Sequence, residues 1–139
     1  GRQSRVGVGR VQGGAGVSVL RVVLPWPPRV LSPNSRPPHW AVLAKAKRAY
    51  RFACHAEALA AGWRRSVFAP TDRLHVRLAF VPPDRRRRDM DNMIAAMKSG
   101  LDGLADALGV DDNRWTLTCA IEDGIGGMVR VGIGTRDAA

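Results

Sequence analysis

Apolar positions recur along the chain with two different periods. In residues 73–81 (RLHVRLAFV), Leu74, Val76, Leu78 and Phe80 alternate with Arg73, His75 and Arg77, which is the two-residue period of a half-buried strand. Residues 17–24 (VSVLRVVL) are dominated by β-branched and aliphatic side chains and read as an earlier strand. The prolines of PWPPRVLSPNSRPP (25–38) remove ladder donors and fix φ, so that stretch is expected to be an extended loop. From His39 to about Gly62 the spacing becomes helical. Trp40, Leu43, Tyr50 and Cys54 fall near one face, and Lys45, Arg48 and Arg51 lie largely outside it. After Pro82 and Pro83 a second helix is expected from about Asp91 to Leu108. Met90, Met93, Met97, Leu101, Leu104 and Leu108 form its core stripe, and Gly109 stands just beyond its end. Strands at about 115–122 and 128–134, joined by a glycine-containing turn around 123–127, close the chain.

The order β-α-β-α-β-β predicts an α/β fold of the α+β type: a single domain with one mixed β-sheet and two main helices. A chain of 139 residues suits one domain. Residues 1–16 (GRQSRVGVGRVQGGAG) carry neither period and are expected to be a flexible extension, leaving 17–139 as the folded domain. No apolar run approaches the ~18 residues of a membrane span, and the first twenty residues lack a secretory pattern. A cytoplasmic protein that makes no membrane contact is the expectation. Cys54 and Cys119 match no disulfide framework or metal-ligand spacing and read as small buried hydrophobes.

Charge changes the picture. Twenty-two Lys and Arg against twelve Asp and Glu give a net charge of +10. Such an excess suits a polyanion, because cations that neutralise phosphates release condensed counterions. The basic residues are also placed suggestively. Arg85, Arg86, Arg87 and Arg88 run straight into Asp89, Met90, Asp91 and Asn92. A protein that only gripped phosphates would be repelled by two carboxylates there. One that cuts phosphodiesters uses both signs, with arginines on the backbone and carboxylates on a hard divalent cation. Asp89 and Asp91 point to the same side on extended chain but diverge by about 200° in a helix, so the pair is expected where strand-like chain feeds the helix, with Asp91 as its N-cap. Asp91, Lys98 and Asp102 share one exposed helix face. Lys98 and Asp102 there form either an i,i+4 ion pair or part of a phosphate-orienting site. A return from the helix end to the sheet would bring Asp111 or Asp112 back beside Asp89 and Asp91. On the first helix Lys45, Lys47, Arg48 and Arg51 are candidate phosphate contacts. Trp26, Trp40 and Trp115 are read as core residues in preference to base-stacking platforms. An EF-hand is excluded, since position twelve counted from Asp89 is Gly100 where a bidentate Glu is required.

LPWPP at 24–28, SPNSR at 32–36, PPDRRRRDMDN at 82–92 and GVDDNRW at 109–115 resemble the RusA-type crossover junction endodeoxyribonucleases common in phages and prophages. The resemblance covers about residues 18–135. It implies a homodimer that binds four-way or otherwise branched DNA and nicks it symmetrically with Mg²⁺, Mn²⁺ being a substitute, in recombination and repair. It implies metal-binding and catalytic roles for Asp89, Asp91 and Asp112, and a catalytic lysine. In one respect the chain departs from the family pattern: the position four residues after Asp91 is Ala95, and the nearest lysine is Lys98. Two rivals remain open at this point, a non-catalytic junction-binding module and a general flap or fork nuclease.

Overall fold

The structure, a computed structural model, describes residues 8–9, 19–33 and 39–135. The chain runs through a two-residue strand β1 (Val8–Gly9), strand β2 (Val19–Pro25), helix α1 (Trp40–Ala60), strand β3 (Leu74–Val81), helices α2 (Met90–Ala96) and α3 (Lys98–Leu108), and strands β4 (Trp115–Ile121) and β5 (Met128–Thr135). This is the α+β arrangement expected, a mixed sheet covered by helices. The first sixteen residues lie outside the described residues except for β1, whose backbone pairs with Val19 and Leu20 of β2.

The sheet order is β1-β2-β5-β3-β4. β5 runs antiparallel to both β2 and β3, while β3 and β4 run parallel, Leu74 opposite Trp115. A parallel pair needs a crossover, and here α2 and α3 supply it. The turn at 123–127 does not make β4 and β5 neighbours: β5 is inserted between β2 and β3. The backbone N–H groups of Gly126 and Gly127 donate to Pro82 and Val81 carbonyls at 2.9 and 3.0 Å, so the connection crosses over the end of β3. Gly124 and Gly127 have φ of 112° and 72°, a region that favours glycine.

The two-residue period of β3 is realised in full. Leu74, Val76, Leu78 and Phe80 are buried, in one core with Leu20, Val22 and Leu24 of β2, Val129, Val131 and Ile133 of β5, and Tyr50 and Cys54 of α1. The opposite face stays polar, with Arg21, Arg77 and Arg130 exposed, as an antiparallel sheet wetted on one side permits. Cys54 is buried and Cys119 half-buried, both as free thiols. Burial pushes the Cys54 thiol up to about 12, consistent with a small core hydrophobe.

Two details of the helices differ from the sequence reading. The single helix expected over 91–108 is interrupted at Met97, which has ψ of −6° and separates α2 from α3. The apolar stripe survives, because Met93, Met97, Leu101, Leu104 and Leu108 are all buried. The buried Met97 sulfur accepts a hydrogen bond from Tyr50 Oη at 3.4 Å. The N-cap of α2 is Asp89, not Asp91: the Asp89 carboxylate accepts from the Asp91 N–H at 3.1 Å. Asp91 sits inside the first turn, where negative charge is also favoured. At the far end Gly109 takes φ of 68° and closes the helix in left-handed geometry as expected.

Helices α1 and α3 lie in very close contact. A methyl carbon at Gly103 would overlap the Arg51 carbonyl oxygen and stand 3.0 Å from the His55 nitrogen, and one at Gly100 would stand 2.7 Å from Tyr50 Cε2. The missing side chains let the two backbones meet. That approach places the basic residues of α1 beside the first turn of α3. Among the described residues no helix is long and apolar enough to cross a membrane.

Candidate functional site

Two open grooves flank α2. The first is lined by Trp26, Arg29, Arg86, Arg87, Arg88, Asp89 and Asn92, among others. The second, of about 1150 Å³, is lined by Trp40, Lys47, Arg48, Arg51, Lys98, Asp112 and neighbours. Val30, Ser32 and Ala96 line both, so the two grooves are neighbours on this face.

The first groove is built by the proline-rich loop and the arginine run. Prolines 82 and 83 end β3, and the chain then turns tightly on Asp84. Its carboxylate accepts the Arg86 N–H at 2.9 Å and pairs with Arg88 Nη1 at 3.0 Å. Arg88, the nearest of these cations, holds the Asp84 carboxyl below the ordinary carboxylate range. Arg88 also donates to the Asp84 and Arg86 carbonyls and lies 5.4 Å over the Trp26 ring. Trp26 in turn meets Phe80 edge-on at 6.0 Å. The four arginines therefore divide in role. Arg88 organises the loop, Arg86 and Arg87 line the groove, and the exposed Arg85 lies outside its lining. Trp26 is half-buried between core and groove, so its core reading holds only in part. Arg29, which the sequence reading did not select, adds a further cation; its only sequence signal is its place beside the proline pairs.

In the second groove the structure answers a question that the sequence left open. Asp111 caps the short turn Asp112–Arg114, accepting from the Asn113 N–H. That leaves Asp112 free to reach back to α3. Its Oδ2 accepts from Lys98 Nζ at 2.9 Å, and Asp102 Oδ1 accepts from the same ammonium at 3.0 Å. Asp112, then Asp102, raises the proton affinity of Lys98. Ala95 and Lys98 line the same groove, so a lysine at 98 addresses the space that a lysine at 95 would address from one turn earlier.

The three aspartates expected at the metal site are not gathered at one point. Asp89 lines the first groove and Asp112 the second, while exposed Asp91 stands in the first turn of α2. Seven residues separate Asp91 from Lys98, about 10 Å along a helix axis. Among the described residues no group of three or more His, Cys, Asp or Glu is close enough to hold a metal ion. A closed cage is not needed for Mg²⁺, however, which keeps several waters and takes one or two carboxylates together with substrate phosphate. The donor set of hard carboxylate oxygens fits that requirement.

The basic residues of α1 also divide. Lys47 and Arg48 line the groove, and among the described residues neither makes an ion pair. Lys45 is exposed but outside the lining. Arg51, expected to hold phosphate, is instead bound through Nε and Nη2 to Asp106 at 2.7 and 2.8 Å, which ties α1 to α3. Arg51 holds the Asp106 carboxyl below its ordinary range. A depressed carboxyl stabilises the fold above the unfolded value of about 4, and that contribution is lost as pH falls through the folded value. Asp106→Asn is therefore expected to lower urea-unfolding stability by about 0.5–1 kcal/mol at neutral pH, a small figure because the pair is solvent-screened. The difference from wild type should vanish in strong acid.

Sequence comparison relates the chain to a protein of similar sequence. It is 42% identical over 110 residues to an uncharacterized protein of Xylella fastidiosa (strain Temecula1), a match that spans 78% of this chain and 71% of that protein. The chain belongs to that protein's family. No family model matches the sequence. The functional reading rests on the two grooves and their charged residues.

Proposed function

We propose that the protein is a Mg²⁺-dependent structure-specific endodeoxyribonuclease of the RusA type, cutting four-way or otherwise branched DNA as a homodimer in recombination or repair. The observation that carries this reading is the pair of neighbouring grooves. It places Arg86 and Arg87 of the 82–92 loop in a groove with Asp89, and Lys47 and Arg48 of α1 in a groove with Asp112, acidic residues that phosphate binding alone would not call for.

Each residue has a part in the reading. Arg29, Arg86 and Arg87 hold one stretch of phosphodiester backbone, and Lys47 and Arg48 hold another, without reading bases. Lys98 is a cation held in the second groove by Asp112 and Asp102. When backbone enters, its ammonium is shared between Asp112 and a phosphate oxygen and offsets charge that builds up as the phosphorus is attacked. Asp89 and Asp91 at the start of α2, or Asp112 in the second groove, would hold Mg²⁺ through one or two carboxylates together with substrate phosphate, and the ion would supply Lewis acidity and an activated water. A dimer follows from the product expected: two symmetric nicks are most simply made by two identical sites related by a two-fold axis.

The test is cleavage of an end-labelled synthetic four-way junction in Mg²⁺, with linear duplex and fork substrates as competitors. Paired symmetric nicks, poorly inhibited by linear duplex, are the expected result. Junction binding without nicks in either Mg²⁺ or Mn²⁺ would overturn the catalytic reading and leave a binding module. Equal cleavage of forks and flaps would replace the resolvase by a general branch nuclease.

A further inference from the structure

Of the four tryptophans, Trp63 is fully buried and donates its indole N–H to the Arg21 carbonyl at 3.1 Å. Trp26 is held between Phe80 and Arg88, and Trp115 is half-buried. Trp40 differs from all three. It was expected on the core face of α1, yet it is 74% exposed at the first position of that helix. It lines the second groove, where Lys47 and Arg48 stand further along the same helix. His39 packs beside the indole, with centroids 5.8 Å apart and planes 30° from parallel, and most of the Trp40 side chain remains open to solvent. Leu117 of the edge strand β4, itself 38% exposed, lines the same groove. The groove thus joins an exposed aromatic and apolar wall to Lys47 and Arg48, which make no ion pair among the described residues.

A closed duplex has little use for such a wall, since its bases are stacked on one another and only its phosphates face outward. A strand with unpaired nucleotides uses both features. Its bases stack on an aromatic face while its backbone lies along the cations. We propose that this groove is a binding site for unpaired nucleotides, with a base stacked on the exposed ring of Trp40 and its flanking phosphates on Lys47 and Arg48. The inference deepens the nuclease reading and rests on it. The substrate must then offer unpaired nucleotides at its branch point, and Trp40 positions them for cleavage without taking part in the chemistry.

The test measures binding without metal, so it stays readable whatever becomes of the nuclease activity. Wild type, Trp40→Ala and Trp40→Phe are titrated, in EDTA, into labelled oligothymidine and into a labelled blunt-ended linear duplex, followed by anisotropy. Trp40→Ala should weaken oligothymidine binding by roughly ten- to a hundredfold, the range expected for one base–aromatic stack. Trp40→Phe should recover most of that loss, and duplex binding should change less than about twofold, because phosphate contacts alone hold a blunt duplex. Because the side chain is exposed, the melting temperature should not move. Single-strand binding by Trp40→Ala at wild-type strength would overturn the proposal, as would an equal loss for both DNAs. A wild type that binds neither DNA would remove the nucleic-acid reading itself.

Discussion

Gly103→Ala should melt roughly 10 °C below wild type, although alanine is the better helix former. The two effects oppose each other and their sizes decide the outcome. In a helix interior alanine is favoured over glycine by about 1 kcal/mol. Against this, the new methyl carbon would overlap the Arg51 carbonyl oxygen and crowd the His55 nitrogen. Both obstacles are backbone atoms of α1, which cannot swing aside as a side-chain tip can. Relief requires moving one helix away from the other through a core in which Tyr50, Cys54, Leu101 and Leu104 are all buried. Overpacking of this kind costs about 1–3 kcal/mol and sometimes more, and a rigid backbone obstacle puts it at or beyond the upper end. A net loss of about 2–3 kcal/mol corresponds to roughly 10 °C in a domain of this size. A thermal scan by circular dichroism checks it; melting at or above wild type would show slack between α1 and α3 that the close approach excludes. A functional consequence follows in the same variant well below its melting point. Separating the helices moves Lys47 and Arg48 away from Lys98 and Asp112, so affinity for branched DNA should fall even where the protein remains folded.

The periods of the sequence located β2 to β5 and the helical stretches to within a few residues, because each depends on burying one face, and missed the two-residue β1 inside the stretch read as a flexible extension. β3 shows why: its alternation leaves a single register that hides Leu74, Val76, Leu78 and Phe80. What the periods could not carry is strand order. Nothing local to 123–127 says that β5 leaves its sequence neighbour β4 and enters between β2 and β3; that choice is made by long-range pairing of buried valines. The interruption at Met97 was equally hidden, since the apolar stripe runs across it unbroken. It matters for the site, because the phase that places Asp91, Lys98 and Asp102 on one face assumes a continuous helix. Only Lys98 and Asp102, both within α3, keep that relation as an observed contact. In the candidate site, the residue types and the arginine run were legible as chemistry. Their division of labour was not. Arg51 and Arg88 looked like phosphate ligands and are committed to Asp106 and Asp84, and Trp40 looked like core and is exposed. Choosing among like residues depends on which partner lies across the fold, and a spacing rule within one element does not contain that information.

Lys98→Met should lower junction cleavage by about 10²–10³-fold while leaving the fold almost unchanged, and it separates a working ammonium from a structural tie. Lys98 lies between Asp112 at 2.9 Å and Asp102 at 3.0 Å, and its side chain is 65% exposed. A solvent-exposed ion pair contributes at most about 1 kcal/mol to stability, so urea unfolding should barely change. A fixed cation aimed at charge that develops on a phosphate is worth about 3–4 kcal/mol of barrier, which sets the size of the expected loss. Asp112 and Asp102 both raise the proton affinity of Lys98, so the group is a cation throughout the neutral range. Its folded-state partnership is complete below the ordinary lysine value of about 10.4 and is lost only as pH rises through the still higher folded value. No alkaline fall in activity near pH 8 or 9 should therefore be attributable to this residue. Asp102→Asn offers the internal comparison. It removes one partner but leaves Asp112 to hold the ammonium, so cleavage should fall less than about tenfold. If Lys98 served only to tie α3 to the turn at 112–114, its replacement would cost stability first and cleavage little. A lysine restored at Ala95, which lines the same groove, would then rescue nothing. In the catalytic reading, Ala95→Lys placed in the Lys98→Met background returns an ammonium to that groove from one turn away, and part of the lost cleavage should come back with no change in melting temperature.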